Sequence, residues 1–239
     1  MVAQRSAGGA GAGSSGSARR IEVDPERVVR WINGFADRHG ELQRLAASVT
    51  WSPAQTSVTM TAADGATAVL EPFVPSVGGV AGDQPGGLEG LAGWVAPPTG
   101  VALILVRRGG YAVGLGQGPE LISHKVGTRY VQSRTAAGGW SQHRFARRRD
   151  NQADALVVSV IEHARRVVLA SPTGALVVGG DKSLVRGVLA DPRLARIALL
   201  PRRELFDLPD PKLIVLKQAL RRGRAVRILL TEPEETGKP

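Results

Sequence analysis

Between Lys125 and Arg149 the chain reads KVGTRYVQSRTAAGGWSQHRFARRR, and the residues best suited to chemistry on a polyanion are gathered there. Gln142 offers a carbonyl acceptor and an amide donor. Its amide does not titrate near neutrality, so it is a poor general base. It can still position a water, while a neighbouring backbone N–H stabilises a developing oxyanion. Gly138 and Gly139 allow a backbone to approach a ligand closely. Trp140 can stack on a base, and Ser141 completes the loop GGWSQ. The surrounding cations are Lys125, Arg129, Arg134, Arg144, Arg147, Arg148 and Arg149, and no Asp or Glu occurs from 121 to 149.

If a helix begins just after Ser141, four arginines occupy its first turns. The positive end of a helix dipole favours Asp and Glu, and a cation there costs a few tenths to about 1 kcal/mol. Arg144, Arg147, Arg148 and Asn151 share one face by helical spacing. That placement suits a phosphate chain, which helix N-terminal amides and arginine forks both address. The competing explanation is an ordinary solvated basic face. The chain carries 26 Arg against 5 Lys, a bias that GC-rich codons produce, so the position of the charge says more than its total.

The remaining chemistry is narrow. There is no Cys, which excludes disulfides and thiolate catalysis. His124 and His143 flank the basic segment, but a lone histidine is more often a polar surface residue or an RNA contact. His39 and His163 lie in helical stretches and read as structural or exposed. A two-metal site needs several converging carboxylates, and 101–107, 111–116 and 121–127 hold none. No metal or other cofactor is expected. The formal charge of +10 and pI near 11.0 favour a polyanionic partner. No apolar run spans a membrane and no apolar signal core opens the chain, so the cytoplasm is the expected compartment; a monomer is also expected.

The elements that must position these residues follow from periodicity. Residues 1–19 are rich in Gly, Ser and Ala and read as a flexible tail. Asp24-Pro25 opens a helical pattern running to about Ala47, with Gly40 as a break. Residues 56–62 and 67–73 read as strands around the turn pair Asp64-Gly65. This predicts a small α+β unit at 20–75, followed by a Gly/Pro-rich linker at 76–100 in which Trp94 docks on the body. From 101 to 233 the order is a hairpin around Gly109-Gly110, a third strand in ELISHKV, and a long helix to Val168. Strands at 175–180, 197–200 and 225–230 then alternate with helices at 182–189 and 211–222. The fold class is α/β: a mixed sheet with flanking helices.

The stretch GGWSQHRFARRR resembles the active-site loop and following helix of eukaryotic-type class 1 peptide-chain release factors. Arg144-Phe145-Ala146-Arg147 matches their Arg-Phe-Ala-Arg element. Their Gly-Gly-Gln triplet is replaced by Gly139-Trp140-Ser141-Gln142. That Gly-x-x-Gln form, with KVGTRYVQSRTA before it and GGDKSLVRGVL after it, resembles the actinobacterial branch of release-factor-like (VLRF-type) peptidyl-tRNA hydrolases of ribosome-associated quality control. The resemblance covers roughly 100–230. It implies a ribonuclease-H-like catalytic domain that frees nascent chains from stalled large ribosomal subunits, with rRNA and peptidyl-tRNA as partners. It further implies Gln142 as the catalytic residue, Gly138 and Gly139 as the loop that enters the peptidyl-transferase centre, and Arg144, Arg147 and Arg148 as phosphate contacts. Two alternatives stand beside this expectation: tRNA cleavage near the acceptor end, and a non-catalytic RNA-binding protein.

Overall fold

A computed structural model describes residues 18–51, 54–73, 93–128 and 141–233; for 43–51, 54–56 and 141–151 only the backbone is described. The chain opens with β1 (Ala18–Val23), a single 3-10 turn, and α1 (Val28–His39). Val28, Ile32 and Phe35 recur at helical spacing and are fully buried. The helix stops at Gly40, whose φ of 85° with ψ of −179° is open essentially to glycine alone. The chain then continues as β2 (Leu42–Trp51), β3 (Ala54–Ala62) and β4 (Thr67–Glu71). The expected helix to Ala47 is therefore corrected. Leu42 and Leu45 repeat at a helical interval, but after Gly40 their segment pairs with β3 as a strand.

The second unit begins with β5 (Gly100–Arg107), buried along almost its whole length, which is what a strand covered on both faces requires. β6 (Gly110–Gln117) and β7 (Glu120–Thr128) complete an antiparallel meander. The long helix α2 (Ser141–Val168) crosses back to β8 (Ala175–Gly180), which runs parallel to β5. Then come α3 (Lys182–Leu189), a single-turn α4 (Ala195–Ala198), β9 (Arg202–Leu205) parallel to β8, and α5 (Leu213–Arg224). The sheet order is β7-β6-β5-β8-β9. α2 and α3 cover one face through Leu156, Val160, Ala164 and Val185. α5 covers the other through Val215, Leu216 and Leu220. This is the expected mixed sheet between helices, with the ribonuclease-H-like strand order. Gly114 and Gly116 let α5 lie close: a Cβ on Gly114 would stand 3.0 Å from a Leu216 methyl.

Three further expectations change. Ala18 and Arg19 are not tail but β1, opposite Thr231 and Leu230. Ile197–Leu200 is not a strand; Asp191 accepts the backbone N–H of Arg193 and starts a helical turn that continues into α4, while the strand falls on 202–205. The last strand, β10 (Val226–Thr231), does not join the second sheet. It lies between β1 and β4 in the first sheet, whose order is β1-β10-β4-β3-β2. Its apolar residues Val226, Ile228 and Leu230 complete the core beneath α1, where Trp94 is also buried as expected.

The chain passes from one sheet to the other at the end of α5, and arginines hold that passage. Arg203 on β9 is 7% exposed. Its Nη1 donates to the carbonyls of Gly223 (3.0 Å) and Ala225 (2.5 Å), and its guanidinium lies 4.8 Å from the Phe73 ring. Burial, with the charge of Arg227 adding, pushes its pKa down to about 10, so it remains charged at neutral pH. Arg222 bridges Glu22 (3.1 Å) and Asp207 (2.7 Å), and Arg224 pairs with Glu26. Replacing Arg203 by Met leaves those carbonyls without a donor in the interior. At about 1–3 kcal/mol for each buried group deprived of its partner, Arg203→Met should destabilise by about 3 kcal/mol. A lower urea midpoint with an unchanged m-value is the expected reading.

Candidate nucleic-acid interface

The 28-residue helix α2 carries most of the basic segment. No Gly or Pro interrupts Ser141–Val168, which permits a helix of this length. Among its described side chains the apolar stripe runs through Ala153, Leu156, Val157, Val160, Ile161, Ala164, Val167 and Val168. Ser141 precedes Ala153 by twelve residues, roughly 18 Å of helix at 1.5 Å per residue. The first turn holds no acidic residue.

The expected site residues divide into three groups. Arg129, Arg134, Gly138, Gly139 and Trp140 lie outside the described residues. Ser141, Gln142, Arg144, Arg147, Arg148 and Arg149 lie on the α2 backbone, as do His143 and Phe145. One expectation is corrected here: Ser141 and Gln142 are not in the glycine loop but in the first turn of α2. The run Ser-Gln-His-Arg-Phe-Ala-Arg contains no helix breaker, so the helix reaches back to Ser141. The N–H of Gln142 is then one of the helix's first four, which have no intrahelical acceptor.

Lys125 forms the third group, exposed on β7 opposite Val113 of β6. It lies near enough to His163 of α2 for its charge to act on that ring. His163 stacks on Tyr111, with ring centroids 5.5 Å apart. Tyr111 in turn occupies the space above Gly127, where a Cβ would stand 2.6 Å from its Oη. Lys125, Tyr111 and His163 therefore join the end of β7 to α2. The sequence reading missed this cluster, since residues so far apart in the chain leave no periodic signal. His124 is exposed on the same strand. Among the described residues no group of three His, Asp or Glu side chains is placed to hold a metal ion.

The second unit is thus a three-layer α/β domain whose longest helix opens on a basic segment. The sequence profile described as "Actinobacteria/chloroflexi VLRF1 release factor" matches residues 99–229, more than half of the chain. The chain belongs to that family. No curated protein sequence matches it. Similar solved structures include one titled "Vms1 mitochondrial localization core", at 12% identity and a TM-score of 0.41, covering 71% of this chain and 74% of that one. Another is titled "Crystal structure of archaeal translation termination factor, aRF1", at 14% identity and a TM-score of 0.38, covering 88% of this chain and 66% of that one.

The His163 ring is open to titration. Burial lowers the His163 pKa from its ordinary 6.5, and the charges of Lys125 and Arg166 lower it further. Below pH 6.5 the unfolded chain binds a proton at His163 that the folded chain does not. Stability therefore falls as pH drops through that value, and the loss is complete below the lowered folded pKa. Lys125→Met should move the folded His163 pKa back upward and shrink this loss. NMR titration of the His163 ring reads it directly, and an unmoved pKa would show that Lys125 does not act there.

Proposed function

We propose that the protein is a peptidyl-tRNA hydrolase that releases nascent chains from stalled large ribosomal subunits. The observation that carries this reading is the family match over 99–229, because that span includes the GGWSQHRFARRR segment at 138–149. Gln142, in the first turn of α2, positions the attacking nucleophile. Its backbone N–H has no intrahelical carbonyl to meet and is suited to stabilising the oxyanion of the ester. Gly138 and Gly139 admit the loop to a narrow RNA cavity. Lys125, Arg129, Arg134, Arg144, Arg147, Arg148 and Arg149 supply phosphate contacts. The reaction needs no cofactor, and the chain acts in the cytoplasm as a monomer.

The deciding experiment presents stalled large subunits bearing labelled peptidyl-tRNA and resolves both the peptide and the tRNA 3′ end. Ester hydrolysis leaves an intact 3′ end. A truncated tRNA would instead identify acceptor-end cleavage. Gln142→Ala should stay within about 0.5 kcal/mol of wild-type stability, as a substitution outside the packed stripe. It should co-sediment normally with large subunits yet lose on the order of a hundredfold or more in release rate. Wild-type release by this variant would reject the catalytic assignment and favour a non-catalytic RNA-binding role.

Arg147→Ala with Arg148→Ala should weaken large-subunit binding and flatten its salt dependence, by up to about 0.9 in log–log slope for each phosphate that is no longer neutralised. An unchanged slope in the double variant would mark this face as merely solvated.

A further inference from the structure

A second basic surface lies in the first unit, away from α2 in the sequence. A groove of about 390 Å³ runs between α1 and β1, lined by Glu22, Asp24, Arg27, Arg30, Trp31, Gly34, Arg38 and Arg221 among others. Residues 27, 30, 31, 34 and 38 follow the 3–4 spacing of one helix stripe. Both groove carboxylates already face arginines outside that stripe: Glu22 faces Arg222 at 3.1 Å, and Asp24 faces Arg221 at 3.8 Å. Arg27, Arg30 and Arg38 have no carboxylate partner among the described residues. The groove thus presents three guanidinium groups that form no ion pair among the described residues.

An aromatic ring stands among them. Trp31 is half-buried, stacked on Phe35 with centroids 5.6 Å apart, and its remaining surface lines the groove. One turn further along the same stripe is Gly34. A Cβ there would meet nothing within 4 Å among the described residues, so none of them requires glycine in mid-helix. Removing side-chain bulk beside an indole keeps the floor open for a flat group.

We infer that this groove binds single-stranded RNA, with Arg27, Arg30 and Arg38 on its phosphates and one unpaired base stacked against Trp31 over Gly34. Charge alone would suit an acidic peptide equally. The combination of an aromatic ring, an open floor and arginine forks is what single-stranded nucleic acid requires. The inference is independent of the activity proposed for Gln142.

The test uses the full chain carrying Arg144→Ala, Arg147→Ala and Arg148→Ala, so that the α2 surface does not contribute. Binding of a fluorescent 12-nucleotide single-stranded RNA is followed by anisotropy over a salt series. Adding Arg27→Ala, Arg30→Ala and Arg38→Ala should lower the log–log salt slope by about 2, at about 0.7 for each single-strand phosphate. Trp31→Leu should weaken binding about tenfold while Trp31→Phe keeps it. If the Trp31 variants lose their fold, Gly34→Leu serves instead: it fills the floor without touching the ring and should weaken binding by a similar factor. The proposal is overturned if the background chain fails to bind, if the arginine variant keeps its slope, or if filling the floor or removing the ring leaves affinity unchanged. It is also overturned if a polyglutamate peptide binds as tightly through the same arginines.

Discussion

The two sheets share one polypeptide turn, and the guanidinium of Arg203 is the group on which that turn depends. At the end of α5 the chain must leave the second unit and enter the first as β10, exposing the last carbonyls of the helix in a region sealed from water. Arg203 donates to those carbonyls from β9, so a strand of one sheet satisfies the backbone that leads into the other. The lowered pKa shows that burial of this cation is unfavourable in itself. It is retained because unpaired carbonyls at a helix end would be worse. Arg222 and Arg224 add ion pairs to Glu22 and Glu26 on the N-terminal side of the chain. The first unit is therefore not closed by local sequence: it needs residues 226–231 for an interior strand, between β1 and β4.

This arrangement explains how α2 can tolerate a basic beginning. Cations in the first turn oppose the helix dipole, so the stability of α2 has to come from elsewhere. It comes from the stripe between Ala153 and Val168, packed on β5 and β6 within a core that includes Ile104, Val113 and Val178. Burial of several aliphatic side chains, each about 1.5–3 kcal/mol, outweighs a dipole penalty below about 1 kcal/mol per charge. The second half of the helix thus acts as an anchor.

What could be read from the sequence follows the range of the interactions involved. The β5–β6 hairpin, β8 and the α2 stripe were legible because their signals are local: a turn pair, a buried run, a 3–4 repeat. β2 was misread because Leu42 and Leu45 imitate helical spacing, and only pairing with β3 decides the matter. β9 was missed because RREL has no run of apolar residues; its burial alternates, with Arg203 as one of the two inward positions. The place of β10 was not legible at all, since pairing with β1 joins residues some two hundred positions apart. For the site, residue types and spacing pointed to the arginines, and the resemblance to a release-factor-like family pointed to Gln142. The helical state of Ser141 and Gln142 was not read, because glycines before them suggested a loop that continued.

That last difference changes the chemistry available to Gln142. In a loop, its backbone N–H would point wherever the loop turned. In the first turn of a helix, the N–H direction is set by the helix axis, and several unpaired amides converge ahead of it. A side-chain amide placed there works beside a fixed positive potential rather than alone. Hydrolysis of an ester requires a nucleophile held in place and a negative oxygen stabilised. In the hydrolysis proposed above, a neutral residue at a helix start would serve the first need while the helix serves the second. The arginines between 144 and 149 would then meet a phosphate chain without taking part in either step.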